Sequence, residues 1–152
     1  MRAEVEKLIN TIIDEADCID DLIDAMREQR DAMQERDTQA VNALMDETRD
    51  ISFEVQTHEN LRSEFAKKLA AEFSCEPKVS SLISVMADDE RNKFKAAADR
   101  LAQSVFLLKS ELMILNGLID QNEKYTSMLL SEWRRLNGEG SISDSGGADF
   151  RG

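Results

Sequence analysis

The first 116 residues contain no glycine and one proline, Pro77. Glycine and proline are the residues that most often punctuate a chain into strands and tight turns, so their absence leaves helix as the economical way to satisfy the backbone. The positions are filled by Ala, Leu, Glu, Lys, Arg, Gln and Met, the strong helix formers. Apolar residues recur in alternating steps of three and four: Val5, Leu8, Ile12, Ala16, Ile19, Ile23, Met26, a polar Arg30, then Met33. The pattern resumes through Val41, Leu44, Thr48, Ile51, Val55 and His58, passes a polar Arg62, and continues to Phe65 and Leu69. A third stretch runs from Phe94 through Ala98, Leu101, Val105, Leu108, Leu112, Leu115 and Ile119 to Leu136. An average step of 3.5 holds one stripe against a neighbouring helix, as in a left-handed coiled coil.

The breaks divide this pattern into an all-α fold: an elongated antiparallel helical hairpin plus a long C-terminal helix, a three-helix coiled-coil bundle with a short connecting helix. The helices are expected over about 2–36, 38–74, 78–86 and 88–137, numbers set by the breaks in periodicity. Asp37 offers an N-cap for the second helix. One unbroken helix to Phe73 is the alternative, and its stripe would need a partner from another chain. Ser74-Cys75-Glu76-Pro77 breaks the second helix because proline cannot continue it. Asp88 is placed to cap the last helix, and Asn137-Gly138 to terminate it. Residues 1–137 then form one domain, and 138–152, rich in Gly, Ser and Asp, a flexible tail.

These lengths carry a functional expectation. A final helix of about 50 residues spans roughly 75 Å and outruns a hairpin of two 35-residue helices near residue 124. The overshoot holds Tyr125, Met128, Leu129, Leu130, Trp133 and Leu136, including the only Tyr and only Trp of the chain. Such a stripe suits a helix-in-groove contact with a partner. The competing reading is that residues 78–87 fold back and make the stripe ordinary core.

Net charge is −12. Nucleic acid and anionic lipid both require a cationic face, so neither is an expected partner. The acids between Asp14 and Asp24 form a solvated helix face or a dock for a basic partner. No signal peptide or membrane-length apolar run is read, and Cys18 and Cys75 form no CxxC pair, so the expected compartment is the cytoplasm. No catalytic, cofactor or metal site is expected. His58 lies in Thr57-His58-Glu59-Asn60-Leu61-Arg62, which lacks the Leu and Arg spacing of sensor-kinase phosphoacceptors and the downstream Gly of phosphotransfer modules. A carboxylate-bridged metal pair needs two Glu-x-x-His motifs, and one histidine cannot supply them.

The stretch Met26 to Leu44, then Asn60-Leu61-Arg62 and Leu69-Ala70-Ala71-Glu72-Phe73, resembles the FlgN family of bacterial flagellar type III export chaperones. The resemblance is fullest in Leu112-Met113-Ile114-Leu115-Asn116-Gly117-Leu118-Ile119-Asp120-Gln121-Asn122, Leu129-Leu130 and the ending Leu136-Asn137-Gly138. One departure is the six-residue spacing of Asn116 and Asn122, where the family carries two asparagines three apart. The resemblance implies a cytoplasmic chaperone that binds the C-terminal helical region of hook-associated proteins, prevents premature polymerisation and delivers them to components of the export apparatus. It places the partner-binding residues at Leu118, Ile119, Asn122, Tyr125, Met128, Leu129, Trp133 and Leu136. A structural coiled-coil adaptor with no secretion role is the alternative.

Overall fold

The structure, a computed structural model, describes residues 1–121. Within them the chain forms α1 (Ala3–Gln34), α2 (Thr38–Glu72), α3 (Val79–Ser84) and α4 (Asp88–Gln121), with no strand among the described residues. The fold is all-α, a hairpin of two long helices with a further long helix against it.

The hairpin closes without glycine. α1 is closed by Glu35 and then Arg36, whose φ of 57° is left-handed. Around it the Arg36 N–H donates to the Met33 carbonyl and the Asp37 N–H to the Ala32 carbonyl, a Schellman-type closure of the last turn. Asp37 then caps α2, its carboxylate accepting from the Ala40 N–H at 3.1 Å. α2 is closed the same way by Ser74, φ 53°, with the Cys75 N–H donating to the Ala70 carbonyl. The reversal after Gln34 rules out the single helix running to Phe73.

α4 starts differently from the expectation. Asp88 is its first residue, and the cap comes from Glu90, whose carboxylate reaches back to the Ala87 N–H at 3.1 Å. This is the reaching-back half of a capping box, with Glu at the third helical position. The same carboxylate takes the Arg2 guanidinium at 2.7 Å and the Arg2 N–H at 2.9 Å, tying the start of α1 to the start of α4.

α1 is the shared helix. It packs along α2 on one side and along α4 on the other, whereas α2 and α4 barely touch each other. Burial follows from this. α1 buries a wide band that includes Leu8, Ile9, Ile12, Ile19, Leu22, Ile23 and Met26, while α2 buries the narrow seam Val41, Thr48, Val55, Arg62 and Leu69. α4 contributes Phe94, Ala98, Leu101, Val105, Leu108 and Leu115. Each fully buried Leu or Ile stabilises the fold by about 1.5–3 kcal/mol.

Candidate partner-binding surface

Ion pairs fix the register that positions any surface on α4. Arg2 meets Glu90, Arg100 reaches Asp17 and Asp20, the Ser104 hydroxyl donates to Asp20 at 2.8 Å, and Arg27 and Arg30 converge on Glu111. The partners are 80 to 88 positions apart, so α1 and α4 run parallel. Carrying the 84-position offset of Arg27 and Glu111 forward sets Gln34, the last residue of α1, level with Leu118. The hairpin tip therefore stands beside the last described turn of α4, a turn or two earlier than the length estimate of residue 124. α3 lies at the opposite end, where the Val85 carbonyl accepts from Arg2 and Leu82 is buried, so it does not cover this turn.

Of the expected partner-binding residues, Leu118 is half-buried and packs on the core, so it contributes to the bundle as well as to its edge. Ile119 is on the last described turn of α4. Asn122, Tyr125, Met128, Leu129, Trp133 and Leu136 lie outside the described residues, as do the expected helix end and tail.

An apolar surface absent from the sequence reading is the outward side of α4. Phe106 is 63% exposed, Met113 75% and Ile114 47%, with Leu107 also exposed. At 100° per residue they cluster with Ser110 and Gly117 on the side opposite Leu101, Leu108 and Leu115. Phe106 and Met113 form one ridge, Leu107 and Ile114 another, and Ser110 and Gly117 the floor between them. Among the described residues, a Cβ added at Gly117 would meet nothing within 4 Å. The available signal was a surplus: one seam uses two residues in seven, and the run Phe106-Leu107-Leu108 and Leu112-Met113-Ile114-Leu115 holds more. This two-faced apolarity also makes Asp88–Leu118 long and apolar enough to meet the criterion for a membrane span by length and mean hydropathy. One of the two faces is spent on α1, and the inward Glu111 is held by Arg27 and Arg30 of that helix, which is the character of a bundle helix.

The buried polar groups lie elsewhere, mostly on the α1–α2 seam. Arg62, expected as a polar interruption, is wholly buried and donates to Glu15 at 2.6 Å, with Glu59 at 4.0 Å. Burial raises the Glu15 carboxyl above its ordinary range, against the lowering pull of Arg62. His58 is half-buried beside this group, as its seam position predicts. Burial, reinforced by Glu54, pushes the Cys18 thiol up to about 12, leaving it protonated at neutral pH. Among the described residues no three His, Cys, Asp or Glu side chains are grouped to hold a metal ion.

One family comparison speaks to the chain as a whole. A model of the FlgN protein family matches residues 1–144. The chain belongs to the FlgN family. That makes it a member of a flagellar export chaperone family. No curated protein sequence matches the chain, and no solved structure does.

Proposed function

We propose that this FlgN-family chain is a cytoplasmic export chaperone for flagellar hook-associated proteins. It binds their C-terminal helical region, keeps them from polymerising early, and delivers them to the type III export apparatus. Family membership supports the chaperone and export part of this reading. The observation that carries the rest is the register: α1 stops level with Leu118, while the sequence continues with Tyr125, Met128, Leu129, Trp133 and Leu136. We read the apolar residues that follow in the sequence as the seat of a partner's amphipathic helix. Leu118, Ile119 and Asn122 are the proposed start of that contact. Residues 1–137 act as the chaperone domain, with 138–152 as a tail.

The test is co-purification. Expressed with each hook-associated protein of its own flagellated cell, the full chain is expected to retain one or two of them stoichiometrically. Leu129→Glu with Trp133→Glu is expected to abolish retention with helicity unchanged. A chain that retains none of them, while joining two unrelated proteins, is a structural adaptor instead.

A further inference from the structure

We propose that the outward face of α4 from Phe106 to Gly117 is itself a seat for a partner helix, one that is apolar along its seam and basic along one edge. It goes beyond the contact at residues 118–136, and rests on the proposed function only in taking partner helices to be what this chain holds.

Gly117 is the first reason. A glycine in a helix interior is about 1 kcal/mol less favourable than alanine. Where a packed neighbour needs the space, that loss has an intramolecular cause, but a Cβ here would meet no described residue within 4 Å. The chain avoids glycine at every one of its first 116 positions. Close approach by something outside the described chain accounts for it. Gly117 and Ser110 are seven residues apart, two helical turns, between the Phe106–Met113 and Leu107–Ile114 ridges. That is a trough along the helix axis, shaped for the side chains of a second helix laid along it.

The edge of the trough gives the partner its charge. Asp17 pairs with Arg100 across the parallel α1–α4 seam. Stepping both helices by heptads brings Asp24 beside Leu107 and Asp31 beside Ile114. Both aspartates are exposed. Arg27 and Arg30, the cations on that stretch of α1, are engaged with Glu111. The trough is therefore walled by apolar ridges and acidic along its α1 side. A second copy of this chain would bring the same acidic edge and a further net charge of −12, so the fitting occupant is a foreign helix flanked by Lys or Arg.

The test uses the full chain and two synthetic amphipathic helical peptides, with leucine at the seam positions and either lysine or glutamate on the flanks. The lysine-flanked peptide is expected to bind and the glutamate-flanked one not to. Met113→Glu and Gly117→Glu should each weaken binding roughly tenfold or more, as loss of a central contact does. Both add negative charge, so attraction to net charge alone would tighten binding instead. Met113 is exposed and Gly117 sits in open space, so both variants should stay folded, which helical dichroism checks. Phe53→Glu, on the outward side of α2, should leave affinity unchanged. Equal or tighter binding by the Met113 and Gly117 variants overturns the proposal. So does a dimer in light scattering that Met113→Glu converts to monomer. Retention of hook-associated proteins, measured in parallel, separates the two readings. Peptide binding on this face without such retention sinks only the export assignment, and retention with peptide binding untouched by Met113→Glu sinks only this one.

Discussion

Glu15 and Arg62 are both 1% exposed and 2.6 Å apart, an ion pair with almost no solvent to share its charge. Removing one partner of such a pair strands the other, at about 3–5 kcal/mol. Glu15→Ala is therefore expected to lower the unfolding free energy by about that amount in urea titration. Glu15→Met with Arg62→Met should recover more than half of the loss, the remainder falling on Glu59, which loses the guanidinium 4.0 Å away. Gln29, wholly buried on α1, has no hydrogen-bond partner for either amide atom among the described residues. Gln29→Met should raise stability by about 1–3 kcal/mol, since the buried amide's desolvation is no longer incurred. Glu90 sets an acid limit. Hydrogen bonds from Arg2 hold its carboxyl down at about 2, against an ordinary value of 4.5. A depressed carboxylate stabilises the fold above its unfolded value and loses that contribution as pH falls through its folded one. The melting-temperature gap between the native chain and Glu90→Gln is thus expected to be full above pH 4.5 and to close toward pH 2. Glu15 acts with the opposite sign. Its raised value means the folded state holds that proton more tightly, so its contribution is present below the unfolded value and lost as pH rises through the folded one.

At the scale of the helix, α4 has two apolar sides with different tasks, and a single substitution separates them. Gly117→Ala should raise the melting temperature, by about 1 kcal/mol of helix propensity, because the new methyl meets no described neighbour. A fall in melting temperature would mean that the position is packed after all. The helices themselves were legible because a period of 3.5 in a chain without glycine has few alternatives; Asp37 and Pro77 marked two of the breaks. What the pattern hid has physical causes. The left-handed residues that end α1 and α2 are Arg36 and Ser74, and neither side chain advertises that conformation. Arg62 reads as a surface interruption because its counter-charge, Glu15, is 47 positions away. The outward side of α4 is masked by its own seam: Leu101, Leu108 and Leu115 already account for the periodicity, so Met113 and Ile114 add no second period to read. Of the expected partner-binding residues, only Leu118 and Ile119 fall on described helix.

For the molecule as a whole, the parallel register of α1 and α4 makes a truncation informative. A chain stopped after Gln121 keeps every described contact between helices. It is expected to melt within a few degrees of the full chain while losing hook-associated proteins in the co-purification assay. Collapse of melting on truncation would mean that the later residues complete the core. The shared position of α1 carries a consequence for how the protein is made. Because α2 and α4 barely touch, residues 1–74 already contain one complete seam, and that seam joins neighbours in sequence. Synthesis proceeds from the N-terminus at about 5–20 residues per second, so this hairpin can close several seconds before the last turn of α4 leaves the ribosome. The helix that carries the outward trough is then the last of the described helices to find its place, docking onto a surface that is already finished.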